Sequence, residues 1–473
     1  MAKVLVLGAG LSGLASAALL AQAGHDVTVL EKNSWLGGKS RRIELAGQRM
    51  DTGPALVTFP EVWQQFLETF DSLGSVKSKE HGELSFTKLK EVGRYYLRNH
   101  VTDLPVRPEH HWFKAWDQFS KEHDALTPAI SKLLTSHPLD PSALPALSKM
   151  MKVYGLRLTT SSYLKSLDYM PAALKEVISI HTLNAGVSPN RTLALYASMT
   201  AAMASQGISV PVGGVNEIAL ALSRLALAAG AKIELGVAVT KVSSKSVKTQ
   251  SGDYSFDHLV SSLDPGVLKS LQTGRPNRLA RHRSCSGVAI YAVLKESLPE
   301  DVVTHSVIMP DDAEKLHRSL DAALPPEQTM TFVNYYRAGE IYPNTKDTVA
   351  VLITAPADGK KHDLNSEWVR NELDRVSQKL GLAVAIDELF EEYEILNPDY
   401  FAQFGAAGGA LYGATSPLWQ SGPFHNPQYH NPLRPRLWRV GASVHPGGGI
   451  PAVLGGTLIA TRAMLRKIGK PKK

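Results

Sequence analysis

The stretch KVLVLGAGLSGLASAALLAQAGHDVTVLE, residues 3–31, decides the fold. A β-rich run over 3–7 enters a glycine turn, an apolar helical run follows over 14–23, and a second β-rich run spans 26–30. That order is one βαβ unit. The turn reads Gly8-Ala9-Gly10-Leu11-Ser12-Gly13, and Glu31 closes the second strand. The first glycine permits the tight turn, the second lets backbone approach a pyrophosphate, and the third lets helix pack on strand; the helix N-terminus then presents N–H groups to the anion. Glu31 is placed to accept hydrogen bonds from ribose hydroxyls. A glutamate here, rather than an arginine, disfavours the 2′-phosphate of NADP and leaves NAD and FAD open. Residues 4–23 are apolar enough to suggest a membrane span, but Gly8, Gly10, Ser12 and Gly13 interrupt them and no signal-peptide cleavage pattern follows. Neither a transmembrane helix nor an export signal is predicted.

Outward from this unit, two extended runs flank Asn99 and His100 within 84–106, a hairpin pattern. Residues 109–203 read as helical, punctuated by Pro128, Pro138, Pro141, Pro145, Pro171 and Pro189. After Gly213-Gly214, a helix over 216–229 and strands at 232–235 and 238–240 restore the βα alternation. Strands are predicted at 287–294, 329–335 and 348–353 and a helix at 366–380. A final strand at 437–440 leads through a glycine loop into a helical run that ends near 468.

The chain has 473 residues, 44% hydrophobic and 20% charged, enough for a large core and more than one domain. Its net charge of +7 suits an anionic cofactor or a lipid surface. The basic residues are scattered, and no nucleic-acid-binding signature is present, so no nucleic acid partner is expected. Cys285 is the single cysteine, which excludes intrachain disulfides and thiolate clusters and fits a reducing cytoplasm. The 16 histidines form no spaced metal set, and no HExxH, GxSxG or Walker sequence occurs.

Directly after Glu31-Lys32 come Gly37-Gly38-Lys39-Ser40-Arg41-Arg42 and Met50-Asp51-Thr52-Gly53-Pro54. This continuation resembles the GG(K/R) extension of flavoproteins with two dinucleotide-binding domains, and it decides for FAD over NAD, with further backbone and the cations Lys32, Lys39 and Arg42 beside the anion. The C-terminal run Gly441-Ala442-Ser443-Val444-His445-Pro446-Gly447-Gly448-Gly449-Ile450-Pro451-Ala452-Val453 resembles the terminal flavin motif of bacterial-type phytoene desaturases and related carotenoid-oxidising enzymes. Further segments fall in that family's order: 51–54, 210–214, 284–287 and Gln420-Ser421. The resemblance implies non-covalent FAD held also through Gly53, Pro54, Val239, Asp264, Gly441, Gly448, Gly449, Ile450 and Val453. It implies desaturation of a long polyene, a carotenoid or a precursor of one, and association with a membrane surface. Ser443-Val444-His445-Pro446 and Thr52-Gly53-Pro54 are similar to the branch that introduces 3,4 double bonds into hydroxylated carotenoids. Two segments depart from the family pattern: Phe424-His425-Asn426-Pro427, and Ser205-Gln206-Gly207, which lacks a glutamate.

The expected fold is therefore α/β: a Rossmann-like FAD-binding domain built from discontinuous segments (1–80, 210–275 and 431–473), an inserted α+β substrate-binding domain with its sheet in 276–430, and a helical, membrane-facing region in 81–209. Cys285 reads as a small buried residue; with no cysteine near the terminal glycines, nothing tethers the flavin covalently. His445, beside glycines expected to pass close to the isoalloxazine, is the catalytic candidate, a structural hydrogen-bonding role being its alternative. Met150, Met151, Tyr154, Leu156 and Leu158 read as core by pattern, whereas the resemblance points to an interfacial segment within 139–170. His110-His111 beside Trp112 read as a helical surface. No acid–base dyad is evident, so the expected chemistry is hydride removal by flavin N5 from a carbon next to the conjugated chain, with a quinone or O2 taking the electrons afterwards. The rivals are a flavin amine oxidase, against which stands the lack of an aromatic pair around His445, and a non-enzymatic carotenoid-binding flavoprotein. The expected location is the cytoplasm, peripherally at the inner face of the cell membrane.

Overall fold

The computed structural model describes residues 1–53, 55–89, 91–278, 282–415 and 428–469. A five-stranded parallel sheet carries the N-terminal unit, in the spatial order Leu437–Arg439, His258–Ser261, Lys3–Leu7, Asp26–Leu30, Lys232–Glu234. Val4 to Leu7 are all buried, as an unbroken apolar run must be when helices cover both faces of a parallel sheet. The first helix, Leu11–Gln22, is rich in alanine and leucine and buried along almost its whole length, because the helices Asn216–Ala228 and Ile450–Ile468 pack against it. It begins three residues earlier than its apolar run predicts. Gly13 does not break it, since a glycine in the first turn costs little where a close approach requires it.

The second layer is a seven-stranded mixed sheet, ordered Phe390–Leu396, Ser286–Leu294, Thr348–Ala355, Thr331–Tyr336, His305–Ile308, Gly93–Leu97, His100–Leu104. All its pairings are antiparallel except that of His305–Ile308 with Gly93–Leu97. The helix Glu367–Lys379 buries Val369, Leu373 and Val376 on one face. On the other, the Arg42–Leu45 and Gln48–Asp51 hairpin packs Ile43, Leu45 and Met50 against Tyr291 and Val293. The predicted segmentation is thus crossed twice. The 42–51 hairpin, expected within the flavin domain, packs on the substrate-side sheet, and the 93–104 hairpin, expected with the helices, is part of that sheet.

Helices from Phe113 to Gln206 form the third part. Residues 110–112 are not helical: they form a turn in which Trp112 is buried and the His110 and His111 rings stack at 4.4 Å. Cys285 is buried, as expected, immediately before the strand Ser286–Leu294. The helix Leu144–Tyr154 has two apolar faces. Ala146, Met150 and Tyr154 are buried, whereas Leu144, Leu147 and Met151 are exposed, as are Leu139, Leu156 and Leu158 on either side, Leu156 to 95%. Among the described residues no helix is long and apolar enough to cross a membrane.

Candidate active site

Strand, turn and helix meet around Gly8, whose φ of +92° favours glycine. A Cβ on Gly13 would lie 2.0 Å from the Gly8 carbonyl oxygen, so only a glycine lets the helix sit this close. Gly10 begins the helix without a side-chain cap, and open space lies where its Cβ would be. The first-turn N–H groups of Leu11, Ser12 and Gly13 therefore have no intrahelical acceptor, and no acidic residue in that turn repels an anion.

Three further loops close on this turn. Gly37 N–H donates to the Ala9 carbonyl at 2.9 Å, and a Cβ on Gly38 would lie 3.3 Å from Gly10 Cα. Gly53 donates to the Tyr291 hydroxyl at 3.1 Å, and its own Cβ would lie 2.8 Å from the Lys39 carbonyl oxygen. A Cβ on Gly441 would approach Ser12 Oγ to 3.2 Å. The result is a cradle walled by main chain, of the kind a pyrophosphate needs. Pro54 lies outside the described residues, as do Gln420-Ser421 and 424–427.

Glu31 marks one end of the cradle. Buried at 5% exposure, it accepts from Ala9 N–H through Oε2 at 2.8 Å, and through Oε1 from Asn33 N–H at 2.9 Å and Asn33 Nδ2 at 2.8 Å. Val237 N–H donates to the Glu31 carbonyl at 2.8 Å, which brings Val239 to the same end. Lys39 is enclosed and donates to the Leu411 carbonyl at 2.6 Å; burial holds its pKa down at about 8, with Asp264 opposing. Burial raises the Asp264 carboxyl, which caps the helix Pro265–Thr273 through Gly266 N–H.

Two expected cations are not in the cradle. Arg42 reaches Asp51 Oδ1 at 2.9 Å and Glu217 Oε1 at 3.1 Å, and it donates to the Gly213 carbonyl. The nearly buried Asp51 carboxylate requires a paired cation, and this claims the guanidinium. Lys32 turns outward to the Gln403 carbonyl at 2.6 Å and lies over the Phe404 ring.

At the other end, Gly449 has a φ of +89° and precedes the helix Ile450–Ile468; Ile450 is buried, and Val453 N–H donates to the Gly449 carbonyl at 2.9 Å. Gly447 and Gly449 have nothing within 4 Å of a Cβ position. His445 Nε2 lies 3.2 Å from the Ser136 carbonyl, which favours the structural of its two candidate roles, tying the terminal loop to the helical part.

Sequence reading missed the loop around 404–415. Gly405, Gly408, Gly409 and Gly413 all have positive φ, and four glycines within nine residues were the available signal. Through it Leu411 meets Lys39, and Gly413 comes within Cβ reach of Ser443 Oγ and Asp264 Oδ2, at 3.1 and 3.2 Å. It also delivers Tyr412, whose ring lies 2.4 Å from where a Gly448 Cβ would be. Burial raises the phenol pKa of both Tyr412 and Tyr196, so each stays uncharged. One aromatic ring thus stands at the terminal loop, beside Gly448, contributed by a distant segment. No group of His, Cys, Asp or Glu among the described residues could hold a metal ion.

A βαβ turn, a GG loop and a terminal glycine loop joined into one cradle define a dinucleotide-binding flavoprotein. The chain belongs to the flavin containing amine oxidoreductase family, whose model matches residues 11–463. Its cofactor is FAD, and the cradle fits it: an open glycine face for the pyrophosphate, a buried acid for the ribose and a glycine-led helix at the far end. Curated relatives include the 1-hydroxycarotenoid 3,4-desaturase of Flavobacterium sp., 24% identical over 96% of this chain and 97% of its own. They also include the zeta-carotene-forming phytoene desaturase of Myxococcus xanthus, 26% identical over 98% and 94%. Among solved structures, putrescine oxidase bound to putrescine aligns with a TM-score of 0.64 at 16% identity over 99% of this chain and 98% of that one. Cyclohexylamine oxidase from Brevibacterium oxydans aligns with a TM-score of 0.62 at 16% identity over 99% of each chain. These two share the fold.

Proposed function

We propose that this chain is an FAD-dependent desaturase that introduces C=C bonds into a long apolar polyene of the carotenoid type. The observation that carries this reading is similarity to carotenoid desaturases over nearly the full length of both chains, terminal loop included. When bound, the flavin supplies a two-electron acceptor. The protein's own task is positioning in a dry site. Gly38, Gly10 and Gly441 set the cofactor's depth, Tyr412 and Tyr196 offer uncharged walls, and the helical part closes over the terminal loop through the Ser136–His445 contact. Loss of a proton to water completes the double bond, so His445→Ala slows the reaction without abolishing it. The hydroxylated-carotenoid 3,4-desaturase is the branch favoured by 443–446, and a quinone or O2 takes the electrons.

The exposed residues Leu139, Leu144, Leu147, Met151, Leu156 and Leu158, with Lys149, Lys152 and Arg157 beside them, support peripheral binding to an anionic membrane from which a water-insoluble substrate enters. The aromatic wall formed by Tyr412 favours a second reading, amine oxidation. Anaerobic addition of a polyene, and separately of an aliphatic amine, to the FAD-loaded protein tests both. Bleaching of the flavin band by the polyene alone is expected; bleaching by the amine alone overturns the desaturase reading, and a spectral shift without bleaching means a carotenoid-binding protein.

A further inference from the structure

We propose that Phe59 closes the floor of an apolar pocket that takes the hydrocarbon chain of the polyene beside the flavin, and thereby selects the bond that is oxidised. This inference rests on the desaturase reading and deepens it. The pocket holds about 240 Å3 of free space, part of it open to solvent, between residues 57–63 and the first turn of the helix Ile450–Ile468. Ile450 and Pro451, in its wall, directly follow the terminal glycines. Ile218, also in its wall, shares the first turn of its helix with Asn216, whose Nδ2 donates to the Ser40 carbonyl of the GG loop at 2.7 Å. The pocket thus borders the cofactor cradle on two sides. Thr58, Phe86 and Pro451 keep accessible surface and form its mouth; Phe59, Val62 and Leu454 are buried and form its floor. Thr58 is the one polar residue in the wall, so a hydroxyl or an ammonium finds no side-chain partner below the mouth, whereas a hydrocarbon needs none.

Phe59 has a φ of +52° and a ψ of +61°, the left-handed region, which is costly for a bulky side chain. It cannot relax, because Val57 exchanges two main-chain hydrogen bonds with Ser209, at 2.8 and 3.1 Å, and Pro60 begins the helix Pro60–Leu73 immediately after it. The turn itself asks for glycine, which would make it without strain. What the phenylalanine adds is a ring, buried to 2% exposure, that limits the depth of the pocket. Trp63, one helical turn further on, is fixed in the same wall by stacking on Phe66, with ring centroids 5.7 Å apart. A chain that stops against this floor presents one fixed bond to the flavin, and a deeper floor presents a bond farther from the chain end.

The test uses the full FAD-loaded chain carrying Phe59→Gly, which suits the backbone and removes the ring, or Phe59→Leu, which keeps much of its bulk. Zeta-carotene in detergent is the probe. Its conjugated chain quenches a tryptophan it touches, so the difference in emission between the parent and Trp63→Phe, with and without the probe, reports occupancy of the pocket independently of turnover. Anaerobic bleaching of the flavin and the absorption spectrum of the extracted pigment report the reaction. Quenching at Trp63 is expected. So is a change of product in Phe59→Gly, in which the parent's main bond gives way to one farther from the chain end, with Phe59→Leu close to the parent and FAD affinity unchanged in both. No quenching at Trp63, or an unchanged product from folded Phe59→Gly, overturns the inference; bleaching in the parent then still supports the desaturase reading. Quenching at Trp63 without bleaching upholds the pocket and tells against that reading instead. Should Phe59→Gly fail to fold, Phe86→Ala at the mouth takes its place, and unchanged quenching and product there overturn the inference.

Discussion

Replacing Glu31 removes two things at once, and the structure allows each to be sized. The carboxylate accepts three donors: Ala9 N–H, Asn33 N–H and Asn33 Nδ2. A carboxylate has about four lone-pair sites, so one remains for a ribose hydroxyl. Glu31→Ala leaves the buried Ala9 N–H and the part-buried Asn33 N–H without acceptors, at about 1–3 kcal/mol each, so the cofactor-free protein should lose about 2–6 kcal/mol of stability, the lower half being expected because Asn33 stays partly hydrated. Losing the ribose acceptor should weaken FAD by a further factor of about 10 to 100. Glu31→Gln separates the effects: its single carbonyl oxygen can serve one of the two strand-end N–H groups, while its amide faces the other donor, so its melting temperature should fall between parent and alanine variant. Urea or thermal unfolding without FAD, together with flavin fluorescence titration, reads both quantities. An alanine variant that melts with the parent and retains FAD with unchanged affinity refutes the assignment of Glu31 to the turn and to the ribose.

Gly13→Ala should abolish FAD binding and destabilise the fold, since the added methyl would lie 2.0 Å from the Gly8 carbonyl oxygen; soluble, FAD-replete variant would contradict the close packing. Gly448→Ala should weaken FAD binding, measured by fluorescence, by displacing the Tyr412 ring, and Gly448→Ala with Tyr412→Ala should recover it, which a clash elsewhere would not allow. Burial holds Lys39 at about 8 against 10.5 when unfolded, so between those values the unfolded chain binds more protons and stability without FAD rises with pH. Lys39→Met should remove that rise in unfolding experiments between pH 7.5 and 10.5. Leu156→Asp with Leu158→Asp should reduce sedimentation with anionic vesicles without moving the melting temperature, and unchanged sedimentation would place the membrane contact elsewhere.

The N-terminal unit was legible because its determinants are local: a buried apolar strand, a turn only glycine can make and a helix that starts where the turn ends. Glu31 was placeable for the same reason, since it directly follows the second strand of that sheet, whereas Val239 begins a strand of a separate three-stranded sheet and nears it through the Val237 N–H bond to the Glu31 carbonyl. Arg42 was not. Its charge is claimed by Asp51, nine residues away, and by Glu217, far along the chain, and only the folded hairpin shows that a nearly buried carboxylate holds the guanidinium. The apolar residues at 144–158 were visible, but which of them face the core was not. Met150 and Met151 are neighbours in sequence and about 100° apart around the helix, so one is buried and the other exposed.

The division of labour between main chain and side chains accounts for both the family likeness and its limits. A cradle made of glycine backbone fixes few residue identities, since it requires only that no Cβ intrude at Gly8, Gly13, Gly38, Gly53 and Gly441. Chains that agree at so few positions can share this fold at 16% identity, as the two amine oxidases illustrate. Choice of substrate must then lie in side chains that the cradle does not constrain. In this chain one of them is Tyr412, whose ring stands against Gly448 from a segment remote from any flavin motif. The flavin is therefore readable from short motifs, whereas the molecule it oxidises is set by residues that only the fold brings to it.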